Sequence, residues 1–371
     1  MKSVFIMCPG VGHIGRGYES FSNELFHYLR HEKDVHVTLI KGAGRAEQDE
    51  HVAFCIKRTT KWAYWLGSLF KQPPYHIEQF TFFISSLPTL LFRKPDVIVY
   101  SDFYLGVLLW YLRKLLHLRY ILLFSNGAPN GPPFTRCDFV QQLLPFYKDI
   151  AVNAGEDPLR HIVLPYAIEV PTLPLPTQEE KKKQKKALSI DQEFLILCVA
   201  AINDSHKRIS YLIDEIVALQ NPNICLVVLG QKNEESDAII QKGERELGTR
   251  FQAKTVGKEA LANYYVAADL FVLPSLTEGL PRVMLEALSY GLPVLSHDYE
   301  VSRNVLQEFG HFADFRNRGA IGGLAAILLK EQTTKDDKIA YTLRNYVQKY
   351  YSWASLGPKY KEMIMRITKE R

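Results

Sequence analysis

The sequence predicts an α/β protein of two doubly wound parallel-sheet halves joined by a stiff linker. Short β-branched runs alternate with helical patterns along the chain, which is typical of strand–helix–strand units and parallel sheets. Two successive series of this kind occur, the second beginning near Glu193, and this favours two halves over one large sheet. The length of 371 residues agrees, because about 150 residues per domain gives two or three domains.

The first half is predicted from four short apolar runs and one amphipathic pattern. Phe21, Leu25 and Leu29 recur at helical spacing and mark the apolar face of the first helix. The predicted elements are the strands Val4–Cys8, Val35–Ile40, Val97–Tyr100 and Tyr120–Phe124 and the helix Tyr18–Arg30.

The second half repeats this alternation after a proline-containing linker. The linker, Pro165–Thr177, contains four prolines and is expected to be extended. The basic run Glu179–Lys186 is expected as a solvated helix face, with a basic ligand patch as the alternative. The predicted elements are the strands Phe194–Ala200, Ile224–Leu229, Leu270–Leu273 and Val294–Ser296 and the helices Ile209–Gln220, Glu234–Leu247, Leu261–Ala267 and Pro281–Tyr290. The expected domains are 1–168, 169–345 and, for a final helix, 346–371.

Composition and charge exclude several classes of protein. With 47% hydrophobic and 23% charged residues, the chain is neither disordered, collagen-like nor a disulfide-stapled miniprotein. A net charge of +5 is too small to indicate a nucleic-acid partner, although it suits anionic small molecules or an anionic membrane surface. The five cysteines include no C-x-x-C pair, so neither zinc nor a disulfide framework is expected. We expect neither a signal peptide nor a membrane span, and therefore a cytoplasmic, reduced protein.

The most informative segment is Ser275–Pro293, where a strand, a loop and a helix follow one another. The free N–H groups near Arg282 and Val283, at the start of the helix, form a seat for a phosphate group. Glu278 precedes the helix and Glu286 lies within it, about 10 Å apart along the axis. Such a pair could bind hydroxyls at both ends of a nucleoside diphosphate sugar. Alternatively, Glu278 interacts with the helix dipole and Glu286 is a surface residue.

The segment SLTEGLPRVMLEALSYGLPV resembles the signature of the retaining GT-B glycosyltransferases of family four, the group one transferases. The resemblance is strong over Leu195–Leu295, fair over Phe139–Glu169 and weak over Glu47–Arg93. It implies two Rossmann-like domains facing across a cleft, with Pro165–Ile168 as the hinge. It also implies a C-terminal helix that crosses back to the first domain.

The resemblance assigns roles to the loop and helix of this segment. Glu278 corresponds to the glutamate near the donor sugar hydroxyls, and Glu286 to the glutamate on the ribose hydroxyls. The donor-binding residues expected here are Glu278, Gly279, Leu280, Arg282, Val283 and Glu286.

Two adjacent cations, Lys207 and Arg208, end the loop after the first strand of the second half. Cations here can neutralise the charge on a departing diphosphate, which is usually a large catalytic effect. Plain solubility at a helix cap is the alternative. In the resembling family a Gly-Arg-Leu turn and a Lys-Gly pair supply these cations, whereas here Ala201 stands at the arginine position. We expect Lys207, Arg208 and Glu278 to be catalytic, with Arg208 replacing the missing arginine.

The loop after the first strand reads PGVGHIGRG and contains a G-x-G-x-x-G spacing, which by itself suggests a dinucleotide-binding loop. No acidic residue follows the second strand to bind a ribose, and this weakens a nicotinamide enzyme. The resembling transferases carry a similar loop, so Gly12 is expected near the donor and His13 near the acceptor. A lone histidine is otherwise a hydrogen-bonded loop residue.

Two further loops of the first half are expected on the acceptor side. Asp102 could orient an acceptor hydroxyl, with a loop or cap carboxylate as the alternative. Asn126 stands near the place where the resembling enzymes carry a histidine, which removes one candidate general base. Retaining members are expected to let the departing phosphate take the acceptor proton, so the missing histidine need not abolish activity.

Aromatic and basic side chains are interleaved between Lys57 and Phe92, including Trp62, Trp65 and Phe70. This mixture suits a membrane interface or a glycan-stacking surface, and a packed helix is the alternative. A membrane contact would place the protein at the inner face of the membrane, with a lipid-linked sugar or a nascent envelope polysaccharide as acceptor.

These expectations combine into a retaining, hexosyltransferase-like enzyme of polysaccharide biosynthesis. It would move a sugar from a nucleotide diphosphate sugar to a hydroxyl of a glycan or glycolipid. UDP- and GDP-linked donors are not distinguished, and neither a cofactor nor a metal is expected, since no D-x-D spacing follows a strand. The alternatives are a non-catalytic sugar-nucleotide or glycan-binding protein, or another enzyme of the same plan, such as a nucleotide-sugar epimerase or a dinucleotide oxidoreductase.

Overall fold

The computed structural model describes residues 1–332 and 337–369, and the chain separates into two compact α/β units. Unit 1 comprises Met1–Ala167 and Trp353–Arg371, and unit 2 comprises Ile168–Ser352. Every strand pairing in the two main sheets is parallel, as expected of strands joined by helical crossovers.

Unit 1 is built on a seven-stranded sheet. Its strands are β1 Lys2–Cys8, β2 Val35–Lys41, β3 Glu50–Val52, β4 Val97–Tyr100, β5 Ile121–Ser125, β6 Phe139–Gln142 and β7 His161–Val163. Its first five helices are α1 Gly17–Leu29, α2 Lys61–Phe70, α3 Pro74–Arg93, α4 Phe103–Leu115 and α5 Pro145–Asn153. The strand order is β3-β2-β1-β4-β5-β6-β7, so the order reverses between β1 and β4. Ligands of open parallel sheets bind at the carboxyl ends of the strands at this reversal.

Unit 2 repeats the plan with six strands. They are β8 Phe194–Val199, β9 Ile224–Leu229, β10 Phe251–Lys254, β11 Leu270–Leu273, β12 Val294–His297 and β13 Gly310–Ala313. The helices are α6 Gln178–Ala187, α7 Ile209–Ala218, α8 Ser236–Leu247, α9 Lys258–Ala267, α10 Arg282–Ser289, α11 Glu300–Leu306, α12 Ala320–Gln332 and α13 Asp337–Tyr350. The strand order is β10-β9-β8-β11-β12-β13, with the reversal between β8 and β11. Ile196, Leu226 and Val272 are fully buried in the core against the helices.

The last helix, α14 (Trp353–Ile367), belongs to unit 1, as the fold class predicted. The Trp353 indole donates a hydrogen bond to Glu24 Oε2 at 3.0 Å. The Tyr360 hydroxyl donates to the Pro165 carbonyl at 2.8 Å and accepts from Gln141 Nε2 at 2.7 Å. The predicted boundary at residue 346 falls inside α13, which packs against α10, so the chain leaves unit 2 only after Ser352.

Helix α6 has the predicted solvated face at Lys182, Lys183 and Lys186, which are exposed, but it buries the two other lysines of the run. Lys185 Nζ lies 2.6 Å from Asp269 Oδ2, and Lys181 Nζ donates to the Ala268 carbonyl at 3.0 Å. Both lysines are buried, because their long aliphatic stems can pack while the ammonium groups reach polar partners. These two lysines fasten α6 to the turn before β11 and are neither solvated nor a ligand patch.

Candidate functional site

The residues predicted for the donor lie at the carboxyl ends of the two central strands of unit 2. Strands β8 and β11 pair directly, so the loops that follow them are neighbours. The loop after β8 carries Lys207 and Arg208 to the start of α7, and the loop after β11 carries Glu278 to the start of α10. The reversal of strand order in unit 2 therefore brings the predicted basic pair and the predicted acid together.

Lys207 and Glu278 are in direct contact, with Lys207 Nζ donating a hydrogen bond to Glu278 Oε1. Both side chains are largely buried, 17% and 11% exposed respectively. The contact is an ion pair in a partly desolvated place, where Coulomb attraction is stronger than in water. A cation suited to phosphate and a carboxylate suited to sugar hydroxyls thus share one site.

A turn around Asn203 fixes the backbone beneath Lys207. Asn203 Oδ1 accepts hydrogen bonds from the backbone N–H groups of His206 and Lys207, at 3.2 and 2.9 Å. The ring nitrogen Nε2 of His206 lies 3.1 Å from the carbonyl oxygen of Thr277, which joins the two loops. The sequence analysis did not identify Asn203, His206 or Thr277. Asparagine in a polar loop is an ordinary turn signal. Nothing in the spacing of Asn203 indicates that its side chain bonds to the backbone of Lys207.

Arg208 is held by backbone carbonyls of the same unit. Its Nη1 donates to the Phe315 carbonyl oxygen at 2.9 Å, and its guanidinium lies 4.2 Å from the centre of the Tyr211 ring. The backbone of Arg208 is left-handed, with φ of 54°. The guanidinium is thereby fixed against Phe315 and Tyr211, and its role on a diphosphate stays a prediction.

The start of α10 corrects one part of the predicted phosphate seat. The backbone N–H of Arg282 donates to the Leu280 carbonyl at 2.9 Å, and that of Met284 donates to the Pro281 carbonyl at 3.0 Å. The tight turn at Pro281 uses the first donor, so the expectation of an open N–H at Arg282 is wrong. The roles predicted for Gly279, Leu280, Val283 and the Arg282 side chain remain predictions.

Glu286 is oriented by a tyrosine that the sequence analysis did not identify. The Tyr265 hydroxyl donates to Glu286 Oε2 at 3.0 Å. Burial, together with the charge of Glu286, raises the pKa of Tyr265 well above its ordinary value, so the hydroxyl stays protonated and donating. Tyr265 lies on α9, far from the motif in sequence, and only the folding of unit 2 brings it there.

In unit 1, the loop after β1 places Gly12 and His13 against other parts of the unit. Gly12 has φ of 95°, and a Cβ there would lie 2.2 Å from the Ala43 carbonyl oxygen, so only glycine fits. His13 Nε2 lies 2.8 Å from Glu78 Oε1. These contacts explain both residue types by packing and hydrogen bonding, and their predicted ligand roles stay predictions.

The two other residues predicted for the acceptor differ in what their side chains do. Asp102 is buried and accepts a hydrogen bond from the Tyr75 hydroxyl. Asn126 donates from Nδ2 to Gln142 Oε1 and to the Asn130 carbonyl, both at 3.0 Å. It also accepts from the Asn130 backbone N–H at 2.9 Å. Asn126 therefore holds its own loop, which leaves its amide little capacity for a substrate.

Among the described residues, one group of possible metal ligands lies together, with ligand atoms of His13, Cys55 and Glu78 within 4.8 Å of one another. Burial raises the pKa of Cys55 to about 11, so the thiol is protonated at neutral pH, whereas metals bind thiolates. The Glu78 carboxylate is already paired with the Arg58 guanidinium. These contacts favour a hydrogen-bonded cluster over a cation site.

The part of the chain that carries the residues predicted for the donor matches a known family. Residues 179–345 match the family described as glycosyl transferases group 1. The O-antigen chain mannosyltransferase B of Escherichia coli is 34% identical over 132 residues, which cover 34% of each chain. The matched segments cover only 26 to 42% of the curated relatives' own lengths. The family resemblance predicted from the SLTEGLPRVMLEALSYGLPV segment is confirmed.

Solved structures share the fold over the entire chain. The sucrose-phosphate synthase of Thermosynechococcus elongatus has a TM-score of 0.78 at 15% identity and covers 100% of both chains. Anabaena HepE in complex with UDP-glucose has a TM-score of 0.76 at 15% identity, over 99% of this chain and 100% of that one. The predicted fold class, two Rossmann-like units of the GT-B type, is confirmed.

Proposed function

Residues 179–345 carry the group 1 glycosyltransferase domain, and we propose that the chain transfers a sugar from a nucleotide diphosphate sugar to a hydroxyl group. Unit 2 binds the donor, and unit 1 binds the acceptor. The observation that carries the proposal is the Lys207–Glu278 contact at the central strands of unit 2. A cation for the diphosphate and a carboxylate for sugar hydroxyls are held within one pair.

The Lys207–Glu278 pair supplies a chemical sequence. A diphosphate offers Lys207 a more highly charged partner, and Glu278 then accepts hydrogen bonds from hydroxyls of the donor sugar. As the bond between the anomeric carbon and the phosphate oxygen breaks, negative charge grows on the diphosphate. Lys207, with Arg208 as the second cation, stabilises that charge. The acceptor hydroxyl oxygen forms the new bond to the anomeric carbon on the face that the diphosphate leaves. Its proton passes to the departing phosphate oxygen, and the configuration is retained.

Glu286 and Tyr265 complete the donor site at the ribose. The Glu286 carboxylate accepts hydrogen bonds from ribose hydroxyls, and the Tyr265 hydroxyl holds one of its oxygens in place. A carboxylate with one oxygen already bonded retains lone pairs for a diol. This arrangement recognises the ribose, which UDP and GDP share, so other contacts must distinguish UDP from GDP.

The relatives suggest the class of product. One is named a mannosyltransferase of the O-antigen chain, and another an amylovoran biosynthesis glycosyltransferase, so both names concern bacterial polysaccharides. We extend this to a glycan or glycolipid acceptor for the present chain. The proposed reaction needs neither a cofactor nor a metal.

The exposed surface of α2 and α3 in unit 1 supports the further proposal that the protein binds a membrane. Helix α2 turns Ala63 and Gly67 inward, while Trp62, Trp65 and Phe70 are 58 to 68% exposed. The packed-helix alternative is therefore wrong for these aromatic side chains. The exposed apolar residues of α2 and α3, here called the α2–α3 surface, are Trp62, Tyr64, Trp65, Leu69, Phe70, Phe80, Ile84, Leu91 and Phe92.

The charge around the α2–α3 surface matches an anionic bilayer. Residues 51–95 contain six lysines or arginines and one acidic residue, Glu78. Glu78 is fully buried and paired with the largely buried Arg58, so five cations remain for the surface. Tryptophan at the level of the headgroups and about 1 kcal/mol per nearby cation both favour binding to anionic lipid. No helix within 1–332 and 337–369 has the length and apolarity to cross a bilayer. The proposed position is peripheral, at the cytoplasmic face, with a lipid-linked acceptor.

Mass spectrometry of donor turnover tests the proposed reaction. The protein is incubated separately with UDP-glucose, UDP-galactose and GDP-mannose and a panel of octyl glycosides as acceptors. A transferred sugar supports the proposal, and NMR of the new anomeric bond tests retention. An epimerised donor would instead indicate an epimerase. Unchanged donors that nevertheless raise the melting temperature would indicate a binding protein.

A further inference from the structure

The turn that follows β13 in unit 2, residues 314–317, is here called the Phe315 turn. It lies between β13 and α12 and belongs to neither element. Within the turn, the Asn317 backbone N–H donates to the Asp314 carbonyl at 3.0 Å. Phe315 is fully buried in the core of unit 2, and its backbone N–H and carbonyl both bond to side chains from elsewhere in the unit.

His297, the last residue of β12, bonds to the N–H of this turn. Its Nδ1 accepts from the Phe315 backbone N–H at 3.2 Å and lies 3.4 Å from the Ala313 carbonyl oxygen. Because a backbone N–H can only donate, Nδ1 is the acceptor, and the hydrogen of the neutral imidazole lies on Nε2. The Asp314 carboxylate is 3.7 Å from Nδ1 and is bonded instead to Arg316 Nε at 2.8 Å.

The imidazole ring of His297 is fixed by packing. Its side chain is 7% exposed. The ring stacks on the Tyr299 ring, with centroids 5.7 Å apart and 17° between the planes, and its centroid lies 5.9 Å from that of the Phe315 ring. Strand β12 pairs with both β11 and β13, so His297 ends an inner strand of the sheet. The acceptor that meets the Phe315 N–H is therefore held in one place.

The other side of the Phe315 turn bonds to Arg208. The Phe315 carbonyl accepts from Arg208 Nη1 at 2.9 Å, and the Tyr211 ring centre lies 4.2 Å from the guanidinium carbon. The Tyr211 hydroxyl donates in turn to the Asn317 carbonyl at 2.7 Å. One residue, Phe315, thus connects His297 through its N–H to Arg208 through its carbonyl.

Arg208 is held by uncharged groups. Within residues 1–332 and 337–369, no carboxylate forms an ion pair with its guanidinium, whereas the neighbouring Lys207 is paired with Glu278. Its bonds to the Phe315 and Pro274 carbonyls, at 2.9 and 3.5 Å, both come from Nη1. A guanidinium has five N–H donors, so those on Nε and Nη2 remain for an anion. The contacts fix this cation without neutralising it.

We infer that His297 is a positioning residue of the donor site: by accepting from the Phe315 N–H, it fixes the carbonyl that orients Arg208 for the terminal phosphate of a nucleoside diphosphate. The inference rests on the proposed function, since the charge that Arg208 meets is that of the departing diphosphate. Electrostatic stabilisation depends on preorganised groups, because a cation that must first reorient offers less to a developing charge. His297 acts through Phe315 and Arg208 and needs no contact of its own with the donor.

A double-mutant cycle with calorimetric titration of UDP and GDP tests the inference. Each nucleotide is a departing diphosphate after its bond to the sugar has broken, so its affinity reports on the groups that meet that charge. Arg208→Ala is expected to lower the affinity about tenfold, since hydrogen bonds to a charged group are lost. His297→Ala is expected to lower it about fivefold, a coupling typical of residues in one hydrogen-bond network. The double variant should lose no more than Arg208→Ala alone, because His297 acts through Arg208.

His297→Asn is the conservative rescue, because its Oδ1 can replace Nδ1 as the acceptor for the Phe315 N–H. Its affinity should stay within about twofold of the wild type, since the acceptor is kept. Ser302→Ala is the matched control. It removes a buried hydrogen bond of 2.6 Å to Ser296 Oγ, one residue before His297. It should lower stability and leave nucleotide affinity unchanged.

Tyr211→Phe tests the same turn in a variant that keeps the ring beneath Arg208 and removes only the bond to Asn317. It serves where His297→Ala does not fold. Its loss of affinity should be smaller than that of His297→Ala and should vanish in the Arg208→Ala background.

Additive losses in either double variant would show that the inference is wrong. So would a loss in His297→Asn equal to that in His297→Ala, or a wild type that binds neither nucleotide. Sugar transfer is measured separately by mass spectrometry. Coupled affinities without transfer would reject the proposed function and keep the inference, whereas transfer with additive losses would do the reverse.

Discussion

The two units share a strand order around their centres but differ in the connection that enters the fourth strand. In unit 2, β10 is joined to β11 by α9 alone, whereas in unit 1, β3 is joined to β4 by α2 and α3. The longer connection supplies Glu78, which contacts His13, and Tyr75, which contacts Asp102, together with Arg58, which is paired with Glu78. It also carries the aromatic α2–α3 surface. The longer connection, with two helices in place of one, thus provides both the contacts around His13 and Asp102 and the proposed membrane contact.

The comparison shows how two sites on one plan can differ in what specifies them. The residues predicted for the donor in unit 2 lie in or directly after the loops that follow two paired strands, so short segments of sequence contain most of them. In unit 1, the contacts of His13 and Asp102 depend on Glu78 and Tyr75, which lie on α3. The first kind of site is specified locally by a strand–loop–helix unit, and the second is assembled by tertiary packing.

Replacing Lys207 by alanine should have the largest effect and tests the catalytic assignment of unit 2. Turnover is expected to fall on the order of 100- to 1,000-fold, because a preorganised donor to developing charge is lost. The KM for the donor should change less, as measured by steady-state kinetics. Lys242→Ala, which removes a surface lysine paired with Asp214, is the control. A rise in the KM for the donor with turnover unchanged would show that Lys207 stabilises the bound substrate and the transition state equally.

Arg208→Ala sharpens the same assignment. Turnover is expected to fall, by less than in Lys207→Ala, because the Arg208 guanidinium is partly engaged by the Phe315 carbonyl. The loss should again appear in turnover more than in the KM for the donor. Full activity of Arg208→Ala would show that Arg208 does not replace the arginine expected at position 201.

Glu286→Ala tests the ribose assignment in unit 2. Donor affinity is expected to fall roughly 10- to 100-fold, since a hydrogen bond to a charged group contributes about 1.5–3 kcal/mol. Calorimetric titration with UDP-glucose and GDP-mannose measures it. Tyr265→Phe should have a smaller effect of the same kind, because it removes only the bond that orients the carboxylate. An unchanged affinity in folded Glu286→Ala would contradict the assignment.

The α2–α3 surface of unit 1 is tested by sedimentation with liposomes. Replacing Trp62 and Trp65 together by alanine should lower binding to anionic vesicles about tenfold, because two aromatic side chains leave the interface. Binding of the wild type should rise with anionic lipid and fall with salt. Tyr341→Ala, at an exposed aromatic residue of unit 2, should bind as the wild type. Equal recovery of wild type with and without vesicles would favour a soluble acceptor.

The smallest expected effect concerns the pH dependence of stability in unit 1. Burial raises the pKa of Glu19 above its ordinary value, so the folded state binds a proton more tightly than the unfolded state. Stability from this group therefore falls as pH rises through the folded pKa. Glu19→Gln should raise the free energy of unfolding at pH 8, with no gain below the unfolded pKa. Urea unfolding at several pH values measures this difference in the free energy of unfolding. A stabilisation by Glu19→Gln that grows as the pH falls would contradict the predicted direction.

The sequence predicts the central strands and the donor motif well because both have local signals. The strands Val97–Tyr100, Ile224–Leu229 and Leu270–Leu273 have the predicted bounds, since fully buried apolar runs mark them. The short strands at and near the sheet edges, such as β3 and β13, were not predicted. Such strands are three or four residues long and only partly buried, so they leave little pattern.

The partners of the predicted residues could not be found in the same way. Nothing in the spacing of residues indicates that Tyr265 orients Glu286 or that Glu78 contacts His13, because each pair is joined by folding rather than by a motif. Residue type misleads as well. Lys181 and Lys185 belong to a run that appears fully solvated, and only the turn at Asp269 explains why they are buried.

The attachment of α14 to unit 1 has a consequence for the folding of the protein during its synthesis on the ribosome. Unit 1 begins at Met1, but Tyr360, which bonds to Gln141 and the Pro165 carbonyl, is made only after all of unit 2. Domains generally fold as they emerge, the earlier one first. Here unit 2 is complete while unit 1 still lacks its last helix. The first unit to be synthesised is therefore the last to be completed. The surface of unit 1 that binds α14 stays uncovered until that helix has been made.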